Sequence, residues 1–353
     1  MSRGPKIGIG PANYAGQAGA WAEAHRSAYN SGTFSFGYEN AGSAFRFSTD
    51  RQIGRLRRVS PSKFAQNASA ISDAEAIVID GFLSVSGSIR LASFKRQMKL
   101  LDRSVDSIAF LSHGTDTRDP RRHMERLSYS YYRDAPLSYR IKCRDTSRRN
   151  RKIARQSGRL LFVSTPDLLL DNPDAIWFPV VVNTAIWKPT SNPFPRTVPR
   201  VLHLPSRSHP PIKGTAHIDP VLRRLELEGL ISYETGAQRS HADMPAAVAS
   251  VDIVVDQIQS GFYGVAAVEA MAVGKLVIGN VAGDVRERVP LHIPIVDANP
   301  NNFEELMRDV LRNRDKLAAM ATEGPEFART FHDGSYSARV LNREMSIERE
   351  STD

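Results

Sequence analysis

The stretch from Asp252 to Asn280 constrains the fold of this chain more than any other. An apolar strand, Asp252 to Asp256, runs into a polar loop broken by glycines. A helix of small residues follows, carrying one acid, Glu269, and a Gly-Lys stop at Gly274 and Lys275 ends it. Leu276 to Gly279 then reads as a second buried strand. Strand, loop, helix and strand in that order form a unit of a parallel sheet. The loop and helix start lie at the strand's carboxyl end, where such sheets bind ligands. A carboxylate on a helix of Ala, Val and Met is costly to bury alone. A hydroxyl-rich partner such as a ribose would offset that cost.

Strand-like runs recur along the chain with helical segments between them: Lys6–Ile9, Ala76–Asp80, Ser107–Leu111, Leu160–Ser164, Arg200–Leu204, Ile231–Glu234 and Ile293–Val296. This alternation predicts an α/β protein with doubly wound parallel sheets. Thr184 to Pro199 holds Pro189, Pro193, Pro195 and Pro199 with few apolar residues, and reads as a linker. The expected division is therefore a first domain over 1–183, a linker over 184–199 and a second domain over 200–330. Two domains meeting across a linker leave a cleft, the usual place for a ligand. Beyond about Asn302 the spacing of Phe303, Leu306, Val310 and Leu311, then Leu317 and Met320, is helical.

With 353 residues, 41% hydrophobic and 24% charged, the composition is that of a soluble globular protein of two domains. No run approaches the ~18 apolar residues of a membrane span. The amino terminus reads as a strand and loop, not as a secretory signal. A single cysteine, Cys143, leaves no internal disulfide framework and no cysteine-rich zinc site. The expected setting is reducing and cytoplasmic. The net charge of +9 is unevenly placed: Met1 to Asn183 has 28 Lys/Arg against 16 Asp/Glu, or +12, and the remainder 19 against 22, or −3. Within the basic half, Arg140 to Arg155 has one acid among many cations and follows Tyr129, Tyr131, Tyr132 and Tyr139. Such a run reads either as a solvated helix face or as a surface for a polyanion, whether nucleic acid or anionic membrane.

Three further segments carry candidate chemistry. Ile7 to Gln17 is a strand followed by a small-residue loop with Ala15-Gly16 and then a helix, whose first N–H groups form an anion site. Its spacing is not the dinucleotide Gly-x-Gly-x-x-Gly, which disfavours a nicotinamide enzyme. Arg200 to Thr215 places Ser206, Arg207 and Lys213 in a Pro-rich loop just after a strand. Phe110 to Asp116 ends a strand with His113 beside a glycine, and Asp116 is a second polar candidate there. The remaining histidines, His203, His209, His217, His241 and His292 among them, show no metal spacing.

Tyr263-Gly264 followed by Glu269-Ala-Met-Ala-Val-Gly274, with Arg207 and Lys213 upstream, resembles the carboxyl-terminal domain of GT-B glycosyltransferases, specifically the retaining family 4 group. The resemblance implies two Rossmann-like domains facing a central cleft. It also implies a last helix, over 331–353 with Ser335 to Glu348 as its candidate, crossing back to the first domain. The donor implied is a nucleotide-diphosphate sugar, a UDP- or GDP-sugar, with no cofactor required and no metal. In that family the Arg and Lys hold the diphosphate, so Arg207 and Lys213 take that role, with His113 near the transferred sugar. The expected donor-binding set is Gly16, Gln17, Ser206, Arg207, Lys213, Gly261, Phe262, Tyr263, Gly264 and Glu269. The family's first motif Glu, which touches sugar hydroxyls, falls on Gly261; Gln259, Ser260 or backbone N–H groups of Gly261 to Tyr263 are the substitutes. Retention by a front-face route is implied, the leaving phosphate itself taking the acceptor proton.

The acceptor is left open between a glycan or glycolipid at the inner face of a membrane, a modified DNA base, and protein. A peripheral contact with anionic membrane goes with the first. The rival from another class is a catalytically silent GT-B protein kept as a scaffold or binding module. Oligomeric state is not legible in the sequence.

Overall fold

The computed structural model describes residues 4–38, 47–54, 66–85, 97–99, 101–190, 194–205, 211–235 and 240–346. Ser206, Arg207 and His209 lie outside the described residues. In chain order the elements of the first part are β1 (Ile7–Gly10), α1 (Gln17–Tyr29), β2 (Phe34–Tyr38), β3 (Arg51–Ile53), β4 (Ala76–Asp80), β5 (Ser107–Ser112), α2 (Pro120–Arg126), α3 (Tyr131–Asp134), α4 (Leu137–Ser157), β6 (Leu161–Val163) and β7 (Ile176–Trp177). Those of the second are β8 (Arg200–His203), α5 (Thr215–Leu227), β9 (Ser232–Thr235), α6 (Met244–Ala249), β10 (Ile253–Val255), α7 (Val265–Val273), β11 (Leu276–Gly279), α8 (Gly283–Arg286), β12 (Ile295–Asp297), α9 (Phe303–Arg312), α10 (Arg314–His332) and α11 (Ser335–Met345).

These make two parallel sheets, one of seven strands in the order β3-β2-β1-β4-β5-β6-β7 and one of five in the order β12-β11-β10-β8-β9. Every recorded strand pair is parallel. A parallel sheet is covered on both faces, so its central strands are continuous apolar runs. Ala76–Asp80 and Leu276–Gly279 are buried at every position. In each sheet the chain reverses direction beside a central strand, between β1 and β4 and between β8 and β10. Crevices at the strand carboxyl ends lie at those two points.

The halves are not independent bodies. The apolar cluster under α7 continues from Val254, Val268 and Met271 into Trp177, Val180 and Val182 of the first part, and Trp187 of the connection joins it. His332, at the end of α10, donates from Nδ1 to the Val180 carbonyl at 2.8 Å, while Val182 N–H donates to the His332 carbonyl at 2.7 Å. Burial holds His332 neutral by pushing its pKa down to about 4. Next, α11 lays Val340, Leu341 and Met345 into the cluster of Ile7, Trp21 and Val78. The last described helix thus packs on the first domain. No helix among the described residues is long and apolar enough to cross a membrane.

The helix that carries Glu269 packs its side chains against Phe327, Ala328 and Phe331 of α10 and also meets that helix by close backbone approach. On α10, Gly324 lies so close to α7 that a Cβ there would sit 2.7 Å from the Met271 carbonyl oxygen. Gly324→Ala gains ~1 kcal/mol of helix propensity. It forces two helices apart, at a cost of about 1–3 kcal/mol. The expected outcome is a lower midpoint in thermal denaturation despite the better helix former.

Candidate nucleotide-sugar site

Lys213 and Asp256 meet where β8 and β10 end. The Lys213 ammonium lies 2.9 Å from Asp256 Oδ1, an ion-pair contact not aligned as a hydrogen bond, and both side chains are largely shielded. Gly214, at φ +76°, turns the chain from Lys213 into α5. A side chain at 214 would also meet Ile258 and Gln259, each 3.0 Å from its Cβ. The strand ends are cross-linked by His203, whose Nδ1 donates to the Val255 carbonyl at 2.9 Å while Nε2 accepts from Thr215 Oγ1 at 2.9 Å. Burial lowers its pKa to about 4, so this brace stays neutral.

Glu269 joins the same group from α7. It is nine-tenths buried, and burial raises its pKa; His241, 3.7 Å away on the outer side, opposes that shift, as does Lys213. The charges of Lys213 and Asp256 both act on the Glu269 carboxyl. His241 in turn is raised by its contact with Glu269 and stands edge-on to Phe47 of the first part, ring centroids 4.9 Å apart. Gly16, at φ +75°, faces that same ring: a Cβ at 16 would fall 2.7 Å from Phe47 Cδ1. The loop before α1 and the Glu269 carboxylate therefore face one another across Phe47 and His241. Gln17 spends its amide on Val181, donating to its carbonyl at 3.0 Å and accepting from its N–H at 2.7 Å.

His113 sits at the end of β5, stacked on Trp21 and edge-on to Tyr14. Its Nε2 is 3.6 Å from Asp80, whose carboxylate accepts the N–H groups of Ala12 and Asn13. Asp116 caps this turn, accepting from the N–H groups of His113 and Gly114 and from Ser112 Oγ. Among the described residues no three His, Cys, Asp or Glu side chains converge as metal ligands.

In the loop from Gly261 to Gly264, both the backbone and a neighbouring side chain disfavour a side chain at 261. Gly261 has φ +70°, and a Cβ there would lie 2.5 Å from Cδ1 of Leu127, which follows α2 in the first part. Leu127 takes the space a side chain would need. Around it, His123 Nε2 donates to the Ser260 carbonyl at 2.9 Å, Tyr131 N–H donates to the Gln259 carbonyl at 3.1 Å, and Gln259 Nε2 donates to Asp134 at 2.5 Å. Ser260 Oγ donates to the Ile212 carbonyl. Both side chains expected to replace the missing acid are thus engaged elsewhere. Phe262 lies under the buried Arg118 guanidinium, 4.0 Å from ring centroid to Cζ, and Arg118 is neutralised by Asp167 at 2.7 Å. Tyr263 points into the core, its hydroxyl 3.3 Å from His332 Nε2, and Gly264 opens α7. Leu127, Phe47, His241 and Asp256 were not among the residues expected at the site. The first two come from the opposite domain and carry no motif of their own.

No family model matches the sequence, and no curated protein matches it. The structure is similar to that of Anabaena HepE in complex with UDP and glucose, at 12% identity and TM-score 0.62 over 98% of this chain and 100% of that one. It is also similar to sucrose-phosphate synthase from Thermosynechococcus elongatus, at 12% identity and TM-score 0.59 over 97% and 98%. A UDP-N-acetylglucosamine 2-epimerase aligns at 14% identity and TM-score 0.50 over 97% and 95%. The fold is GT-B, two α/β domains on parallel sheets.

Gly261 and Leu127 should behave as one unit. Gly261→Ala costs about 1–2 kcal/mol for a left-handed backbone alone, and Leu127→Ala about 2–5 kcal/mol for the lost packing. In urea denaturation the double variant should lose less than the sum of the two, because truncating Leu127 clears the Cβ. Additive losses would mean that the contact is not tight. For Glu269 the linkage has a definite sign. Its folded pKa lies above the unfolded value of about 4.3, so stability falls as pH rises through that window. Glu269→Gln should therefore raise the melting temperature of the ligand-free protein at pH 7, with the gain vanishing as the pH approaches 4.

Proposed function

We propose that this chain is a glycosyltransferase of the family 4 type that moves a sugar from a UDP- or GDP-sugar to an acceptor with retention of configuration. The observation that carries the reading is the Lys213–Asp256 ion pair at the strand ends of a GT-B domain, with Glu269 within reach of both charges and facing the Gly16 loop across His241 and Phe47. The solved complex of HepE with UDP and glucose supports the choice of donor. Glu269 accepts the ribose hydroxyls, which replace the water it lacks. Lys213, with Arg207 on the same loop, faces the diphosphate. As the bond from the anomeric carbon to the phosphate oxygen breaks, negative charge grows on that oxygen, and fixed cations there favour the transition state over the ground state. The same oxygen takes the acceptor hydroxyl's proton while the new bond forms on the same face of the sugar. The protein supplies position and charge; metal and cofactor are not required. His113, held between Trp21 and Tyr14 with its Nε2 free of a hydrogen-bond partner, orients the sugar or acceptor. The acceptor is a glycan or glycolipid.

A second reading is favoured by Leu127, which closes the sugar side of the groove over Gly261: a silent GT-B protein that binds the nucleotide without turnover.

Thermal shift against UDP- and GDP-sugars comes first, since a cognate ligand at 100 times its Kd adds about 2.7 kcal/mol. Release of nucleoside diphosphate without acceptor then separates transferase from silent binder. Lys213→Ala should lower that release by about 100- to 1,000-fold with an unchanged circular dichroism spectrum. Activity within a few-fold of wild type would remove Lys213 from the mechanism.

A further inference from the structure

The basic run of the first domain is a single helix, α4, and its charge does not point into the groove. Cys143, Ser147, Asn150 and Ala154 form its buried face, pinned by Asn150 Nδ2 donating to the Asp116 carbonyl at 2.9 Å and by Arg151 paired with Asp119. The opposite face is solvent-exposed and carries Leu137, Ile141, Arg148, Lys152 and Arg155, with one acid, Asp145, among them. Arg144 pairs with Asp145. Lys142, Arg148, Lys152 and Arg155 have no carboxylate partner among the described residues. Leu137 and Ile141, four residues apart and so on one side of the helix, are 63% and 42% exposed. The tyrosines that the sequence interleaves with these cations are elsewhere: Tyr131 and Tyr132 are fully buried with Cys143, and half-buried Tyr139 packs against the same cluster.

We propose that the outer face of α4 docks on the surface of an anionic lipid bilayer. A flat row of unpaired cations matches a surface of phosphate headgroups, and two exposed aliphatic side chains at its head gain by entering the acyl boundary. A single-stranded nucleic acid would need exposed rings for its bases to stack on, and the tyrosines here are inside. The aliphatic end is also the one nearest the groove, because the Tyr139 cluster takes in Ile212, the residue before Lys213. Docking by this face therefore sets the end of the helix beside the proposed donor site at the membrane surface.

The test needs no turnover and so stands apart from the proposed reaction. The full chain is sedimented with vesicles of phosphatidylcholine alone and of phosphatidylcholine with phosphatidylglycerol, at low and high salt. Binding should require phosphatidylglycerol and weaken with salt. Each cation contributes about fivefold, so Arg148→Gln, Lys152→Gln and Arg155→Gln together should weaken it on the order of 100-fold. Leu137→Ser with Ile141→Ser should weaken it further at both salt levels, all at unchanged melting temperature. Absence of binding to phosphatidylglycerol vesicles at low salt overturns the proposal, as does equal binding by the triple variant. Tighter binding to duplex DNA than to vesicles, indifferent to the Leu137 and Ile141 changes, overturns it in favour of a nucleic acid.

Discussion

The contact between Lys213 and Asp256 is the constraint around which the second domain is arranged. A shielded ammonium without a counter-charge would be expelled or deprotonated. Asp256, one residue beyond β10, supplies the charge, and the 2.9 Å contact fixes the loop before α5 against the end of the neighbouring strand. His203 and Thr215 tie the same two strand ends from below. The pair is held without the alignment of a hydrogen bond, so its attraction is Coulombic and non-directional. On the proposed function, a diphosphate, with more charge and more acceptor oxygens than one carboxylate, would take the ammonium without disturbing the strands. The strand ends thus hold one ammonium and one carboxylate paired by charge alone.

What could be read from the sequence divides along a physical line. Strands in the middle of the sheets, such as Ala76–Asp80 and Leu276–Gly279, are apolar runs because both faces are covered, and their limits agree with the structure to the residue. Phe34–Tyr38 and Arg51–Ile53 were missed. The first breaks its apolar run with Ser35 and Gly37, and the second is a three-residue strand on the sheet edge beginning with Arg and Gln. Ile176–Trp177, at the other edge, has only two residues. Near the candidate site, local order was legible: a cation just before α5, an acid within α7, a histidine at the end of β5. What each touches was not. Nothing near Glu269 in sequence announces Phe47 and His241, and nothing near Gln17 announces Val181, 164 positions away. The tyrosines before the basic helix have the spacing of an aromatic-cationic surface. Packing against Arg118 and Cys143 places two of them in the interior instead.

Gly261 joins these levels. Read locally, a glycine in place of an acid is a loss. In the folded chain it is one half of a contact whose other half, Leu127, comes from the opposite domain. The left-handed backbone at 261 and the Leu127 side chain each disfavour a Cβ, so a side chain there strains the loop and pushes Leu127 aside. The hydrogen bonds around the contact run from His123 to Ser260 and from Tyr131 to Gln259, and each joins the α2–α3 segment to the loop before α7. Burial and the nearby Arg118 charge hold His123 at a pKa of about 3, so its Nε2–H stays a neutral donor and its Nδ1 accepts from Ser130. The loop at Gly261 is therefore lined by an apolar side chain and by hydrogen-bonded backbone.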